Sequence, residues 1–260
     1  MNGIERISEA FEGRQGRAAL MPYLMGGFPD TESSLAIGRA YAAAGADLVE
    51  LGVPFSDPLA DGPVIQEAGS RALAAGATPE SVLETAAALS QEVPVVLMTY
   101  SNLVLARGAA EFVEDLAAAG VSGLIVPDLP LEESGELGGA CEASGIALVP
   151  LAAPTSSEER MEQIGSRARG FLYTVSVSGT TGERSGDGGY AELIERARSH
   201  SQVPVALGFG ISTPEQADAA ARAGADGVIV GSRLVREASE SADPAEACGA
   251  LVERFAQALR

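Results

Sequence analysis

Ala44-Gly-Ala-Asp-Leu-Val-Glu50, Ala119-Gly-Val-Ser-Gly-Leu-Ile125 and Ala223-Gly-Ala-Asp-Gly-Val-Ile229 are three versions of one phrase. In each, an alanine-rich helical stretch closes on a glycine, which tolerates the left-handed backbone of a helix cap, and turns at once into an apolar strand. Working outward from these joints, apolar strand stretches fall at residues 19–25, 48–53, 93–99, 123–126, 146–151, 171–176, 203–208 and 227–230, with helical patterns between them. Apolar strands joined through helices by short connections pair in parallel. Eight such units in 260 residues predict a closed (β/α)8 TIM barrel rather than an open sheet, as one domain spanning residues 1–260.

Local signals agree with that frame. Asp30 is placed to cap a helix reaching Ala44, Thr78-Pro79 opens a helix over 80–89, and Thr213-Pro-Glu-Gln216 is a capping box with proline at the first helical position. Ile4, Ile7 and Phe11 give residues 3–12 an amphipathic pattern, which predicts an extra N-terminal helix acting as a lid ahead of the main fold. Tyr100-Ser-Asn102 is expected to be a loop before a helix over 109–119.

Composition narrows the chemistry. All 17 basic residues are arginine, so a lysine Schiff base is excluded, and with it the aldolases and PLP enzymes built on one. The one histidine, His200, is expected in a surface loop; it leaves no histidine-rich metal site and argues against a Ser-His-Asp triad. Cys141 and Cys248 stand far apart in helical patterns and suggest neither a disulfide framework nor a zinc site. A formal charge of −19 argues against nucleic acid or an anionic membrane as partner. No apolar run is long enough to span a bilayer and the N-terminus lacks signal-peptide character, so a soluble cytoplasmic protein is expected.

Carboxylates therefore carry much of what chemistry is available. Strand alternation puts Leu48, Glu50 and Gly52 on one face and Val49, Leu51 and Val53 on the other. Glu50 is a lone carboxylate in an apolar strand, where an unpartnered charge is costly and the pKa rises instead. Asp57 and Asp61 follow in a proline-rich loop. Three carboxylates so placed can support proton transfer; alternatively Glu50 bonds backbone and the two aspartates serve turns. In a barrel, catalytic groups lie at the C-terminal ends of strands, where Glu50, Asp61, Tyr100, Asp128, Tyr173 and Phe209 fall.

Two glycine loops suit an anion. Gly208-Phe-Gly-Ile-Ser212 and Gly231-Ser-Arg-Leu-Val-Arg-Glu237 follow the last two strands, and the second predicts a short extra helix. Barrels often hold phosphate there, on backbone N–H groups and a helix N-terminus, which needs no lysine; tight turns are the other reading. The long loop 177–189 contains Ser178-Gly-Thr-Thr-Gly182 and Arg184 and is expected to close as a lid over an anionic substrate.

Glu50-Leu-Gly-Val-Pro-Phe-Ser-Asp-Pro-Leu-Ala-Asp-Gly-Pro63 resembles the signature of the tryptophan synthase alpha chain family. Tyr100-Ser-Asn-Leu, Asp128-Leu-Pro, Ser178-Gly-Thr-Thr-Gly, Gly208-Phe-Gly-Ile-Ser and Gly231-Ser extend the resemblance along the barrel. It implies a lyase that splits indole-3-glycerol phosphate by retro-aldol cleavage into indole and glyceraldehyde 3-phosphate. Position by position, it implies Glu50 as acid/base and Asp61 as the ionised carboxylate on the indole N–H. Gly182, Gly210, Gly231 and Ser232 match the phosphate site, while Tyr23, Met98, Ile125, Tyr173 and Phe209 match the indole pocket. Thr181 matches the lid threonine that meets Asp61. Asp57 and Asp128 fall where the family meets a beta chain, with a turn or helix cap the alternative for Asp128.

The resemblance further implies no cofactor in this chain, PLP in the beta partner alone, and an alpha-beta-beta-alpha heterotetramer. Tyr23 and Met25 depart from the smaller or less polar residues of some members, and Val177 from an arginine found elsewhere. A free-standing lyase releasing indole, and a non-catalytic barrel that activates a beta chain, are the other functions open to such a sequence.

Overall fold

The structure is a computed structural model that describes residues 1–14, 16–175, 190–208 and 210–260. Its elements alternate almost throughout. An N-terminal helix α1 (Gly3–Glu12) is followed by β1 (Ala19–Met25), α2 (Thr31–Ala43), β2 (Val49–Gly52), α3 (Pro63–Ala74), α4 (Pro79–Leu89) and β3 (Val95–Met98). Then come α5 (Ser101–Arg107), α6 (Ala109–Ala118), β4 (Gly123–Ile125), α7 (Gly135–Ala143), β5 (Ala147–Leu148), β6 (Leu151–Ala152), α8 (Glu158–Arg167) and β7 (Leu172–Val175). The last third holds α9 (Tyr190–His200), β8 (Val205–Gly208), α10 (Pro214–Arg222), β9 (Gly227–Val230), α11 (Ser232–Glu240) and α12 (Pro244–Ala258). No described helix is long and apolar enough to cross a membrane.

All pairings are parallel, in the order β5-β4-β3-β2-β1-β9-β8-β7-β6. The two ends of that order, β5 and β6, are halves of one stretch, residues 147–152, where the sequence predicts a single strand over 146–151. Pro150 breaks it, because proline has no N–H to give a ladder. The stretch still closes the barrel: Val149 N donates to Leu124 O at 2.9 Å on one side, and Pro150 O accepts from Tyr173 N at 3.1 Å on the other. The predicted (β/α)8 barrel is therefore present, with its fifth stave bent.

The alternation read in β2 is realised. Val49 and Leu51 face outward into the layer between strands and helices. Leu48 faces the barrel axis with Met21, Val96, Ile125 and Ile229. The glycine-closed joints work as expected: Gly45, Gly120 and Gly224 take φ of +99°, +70° and +100°. The expected caps are also made, with Asp30 accepting from Ser33 N, Thr78 from Ser81 N and Thr213 from Gln216 N.

Three local expectations are corrected. Helix α1 is a plug, not a lid: Ile7 packs on Gly123 and Gly170, and Phe11 on Gly227, at the N-terminal ends of strands. Ser101 and Asn102, expected in a loop, instead open a helix running to Arg107, capped by a carboxylate 27 residues away, as described below. His200 ends α9 instead of lying in a loop, with Nε2 2.8 Å from Glu158 Oε2.

Candidate active site

Strand β2 carries Glu50 into the barrel, where it is 2% exposed. Its Oε2 is buried and has no hydrogen-bond partner among the described residues. Burial, and secondarily the nearby Asp61 carboxylate, raises its pKa from 4.5 to about 8. Backbone therefore does not satisfy that oxygen. At neutral pH this carboxyl holds a proton it can give.

Asp61 arrives from the loop after β2 and is half-buried. Burial raises its pKa too, and a hydrogen bond from Tyr100 pulls it back down. The Tyr100 hydroxyl donates to Asp61 Oδ2 at 3.0 Å and accepts from Ala60 N at 3.1 Å. Its ring stacks on Phe55, centroids 5.1 Å apart. Gln66 Nε2 donates to Asp61 O at 2.9 Å and to Pro58 O at 3.2 Å, fixing the far side of the loop. Tyr100 was placed at the barrel mouth by sequence but given no task; here it clamps the loop and aims its aspartate.

Two more tyrosines point inward. A Cβ on Gly52 would lie 2.1 Å from the Tyr23 hydroxyl, and one on Gly208 would lie 2.3 Å from the Tyr173 hydroxyl. Both glycines are spaces for phenols, a role the sequence reading missed although Gly52 stands two residues from Glu50 on the same face. Burial, then the charges of Asp61 and Glu50, raise both phenol pKa values well above normal. Met98 and Ile125 pair with each other in register, Met98 also with Gly52, one layer nearer the mouth than Glu50. Tyr23 is thus level with Glu50, Met98 and Ile125 lie one layer nearer the mouth, and Tyr173 is close enough for the charge of Glu50 to act on it. Phe209, Thr181 and Gly182 lie outside the described residues.

The glycine loops sit side by side because β8 pairs with β9. Gly210 has φ +84°, a conformation glycine adopts without strain. Gly231 is the N-cap of α11, with no side chain capping the helix, and Ser232 is its exposed first residue. Such an end presents N–H groups and the positive end of the helix dipole to an anion. No group of three or more His, Cys, Asp or Glu among the described residues could hold a metal ion.

The remaining two aspartates are exposed. Asp57 Oδ2 accepts from Ser56 Oγ at 2.6 Å. Asp128 accepts from Ser101 N at 2.8 Å and Ser101 Oγ at 2.7 Å, capping α5 from the neighbouring loop. Leu59 and Leu105, on the loop of Asp57 and on that capped helix, are 90% and 74% exposed.

A buried carboxyl with a raised pKa, a second carboxylate close enough to act on it, and a helix end left without a side-chain cap stand at the C-terminal ends of these strands. The family model described as tryptophan synthase alpha chain matches residues 11–260. The chain is 53% identical over 226 residues to the tryptophan synthase alpha chain of Synechococcus sp. (strain CC9902), covering 86% of this chain and 84% of that one. To that of Methanosarcina mazei it is 49% identical over 240 residues, covering 92% and 87%. Among solved structures, tryptophan synthase of Mycobacterium tuberculosis superposes with a TM-score of 0.91 at 39% identity, covering 98% of both chains. A tryptophan synthase complex from Pyrococcus furiosus does so with a TM-score of 0.86 at 36% identity, covering 93% of this chain and 98% of that one. This chain belongs to the tryptophan synthase alpha chain family.

Proposed function

We propose that Glu50 and Asp61 carry out the cleavage that defines this family, the splitting of indole-3-glycerol phosphate in tryptophan biosynthesis. The bond to break joins ring carbon 3 of indole to the carbinol carbon of the glycerol chain. Its electrons need a sink, and the chain has no lysine to form one. The ring itself can serve. Protonated Glu50 gives its proton to ring carbon 3, making an iminium-like indolenine whose positive charge at nitrogen the Asp61 carboxylate stabilises. The carbinol hydroxyl then loses its proton to Glu50, the carbon–carbon bond breaks into the ring, and indole and glyceraldehyde 3-phosphate separate. The proton account closes, because Glu50 ends as it began.

The observation that supports this most directly is the orphaned, buried Glu50 carboxyl with its pKa near 8. A purely structural glutamate gains nothing from such a place, whereas an acid working at neutral pH needs it. Tyr100 keeps Asp61 facing the ring nitrogen, and Gly210, Gly231 and Ser232 hold the phosphate, with Gly182 completing that site. Tyr23, Met98, Ile125, Tyr173 and Phe209 enclose the indole, and Thr181 on the lid meets Asp61 on closure.

Exposed Leu59 and Leu105, flanked by Asp57 and Asp128, form the surface on which a tryptophan synthase beta chain docks. PLP belongs to that partner, the assembly is alpha-beta-beta-alpha, and it works in the cytoplasm.

The test is indole release from indole-3-glycerol phosphate by the purified chain, with and without its beta partner, beside Glu50→Gln. We expect turnover that the partner raises and that Glu50→Gln lowers about a thousandfold or more, within the range of a general acid that also takes the returning proton. Fast turnover indifferent to the partner would replace the two-component reading with a free lyase. A folded protein inactive in both conditions would leave a barrel that only activates its partner.

A further inference from the structure

Tyr23 stands between the two halves of the site. Its strand runs beside β2 on one side, with Tyr23 opposite Glu50. On the other side it runs beside β9, where Pro22 pairs with Val230 and the next residue along is Gly231. A Cβ on Gly231 would lie 3.8 Å from the Tyr23 Cβ, while the Tyr23 hydroxyl ends over Gly52. The ring thus spans from the phosphate loop to the strand of the acid/base carboxyl.

The hydroxyl is poorly served where it is. Tyr23 is 5% exposed, and among the described residues the one hydrogen-bond acceptor its hydroxyl reaches is the Met25 sulfur, at 3.9 Å. A thioether is a weak acceptor, and a buried phenol normally finds a better partner. A phenylalanine would fill the same space between Gly231 and Gly52 without that cost.

A substrate reaching from Glu50 to the phosphate loop lays its three-carbon chain along this ring. The indole N–H, the carbinol hydroxyl next to indole and the phosphate are taken by Asp61, Glu50 and the glycine loops. The middle hydroxyl of the chain is not. We propose that the Tyr23 hydroxyl hydrogen-bonds the middle hydroxyl of the glycerol chain, making Tyr23 a specificity-determining residue for the polyol part of the substrate. The proposal rests on the site assignment above.

Tyr23→Phe removes one oxygen and keeps the ring. With the beta partner present, kcat/KM is measured for wild type and Tyr23→Phe on indole-3-glycerol phosphate and on the analogue lacking the middle hydroxyl, with Glu50→Gln in parallel. The substitution should lower kcat/KM on the full substrate about tenfold and on the analogue by less than about twofold, the difference being one hydrogen bond. The thermal midpoint should not fall. Equal losses on both substrates, or no loss on either, would overturn the proposal. An active Glu50→Gln would overturn the site assignment itself, whereas an inactive one beside a non-discriminating Tyr23→Phe would overturn only the role of Tyr23.

Discussion

At the N-terminal end of the barrel, the aspartates that open strands are held by arginine; at the C-terminal end, Glu50 is left alone. Asp47 accepts from both Arg17 Nη atoms at 2.7 Å and from Leu20 N at 2.8 Å. Asp226 accepts from Arg14 Nη2 at 2.9 Å and from Val205 N at 3.0 Å, with Arg198 3.7 Å away. Both aspartates occupy the fourth place of the repeated Ala-Gly-Ala-Asp joint. Three residues later in the first copy stands Glu50, whose buried Oε2 has no hydrogen-bond partner among the described residues. One short phrase thus holds a carboxylate satisfied by arginine and another with a buried oxygen left unsatisfied, as the proposed acid/base would require. That is the division expected of a barrel whose lower face keeps it folded and whose upper face reacts.

The difference can be broken from the reactive end first. A carboxyl whose folded pKa is about 8, against 4.5 unperturbed, binds its proton more tightly folded than unfolded. Its contribution is fully present below pH 4.5 and is lost as pH rises through 8. Glu50→Gln, which cannot ionise, should therefore gain on wild type between pH 5 and pH 9, by on the order of 2–4 kcal/mol. Urea unfolding at the two pH values measures it. A difference that does not change with pH would mean that Glu50 is not held in a desolvated site.

From the other end, removing an arginine should cost stability and spare chemistry. The Asp47 side chain is 13% exposed and Arg17 27%, so Arg17→Ala leaves a mostly buried carboxylate with only a backbone partner. A loss of about 2–3 kcal/mol is expected, because the unpaired charge remains. The unfolding midpoint should fall while kcat on the folded enzyme stays unchanged. A fall in kcat comparable to that in stability would mean that the two ends of the barrel are coupled.

How far the sequence foretold this contrast depends on the distance over which each feature is decided. The staves, the left-handed glycines and the caps at Asp30, Thr78 and Thr213 are settled within four or five residues, and all were legible. So was Glu50, because a lone carboxylate in an alternating apolar strand stands out without any knowledge of its neighbours. The bend at Pro150 follows from proline chemistry but is obscured by the apolar residues around it. Helix α5 was not legible, since its cap, Asp128, comes from the loop after a different strand. Nor was the bottom plug, because amphipathicity shows that α1 buries a face and not which end of the barrel receives it. The same holds at the site: nothing in the sequence around Gly52 and Gly208 shows that two tyrosines need their space.

Tyr100 offers the mildest intervention. Its hydroxyl joins Asp61 to the backbone of Ala60, and its ring, stacked on Phe55, remains in Tyr100→Phe. That substitution removes the bond that lowers the Asp61 pKa and leaves the burial that raises it. The carboxylate should then protonate at higher pH, and the acid limb of the kcat profile should move upward. The loss at neutral pH should be about five- to tenfold, one hydrogen bond to a charged group tempered by partial exposure. Arg17→Ala should move stability without moving that limb, and Tyr100→Phe should do the reverse. If Tyr100→Phe lowers kcat equally at all pH values, the tyrosine acts by shaping the loop; if it moves the limb, it acts on the charge of Asp61, and the upper end of the barrel is tuned by its second carboxylate as well as its first.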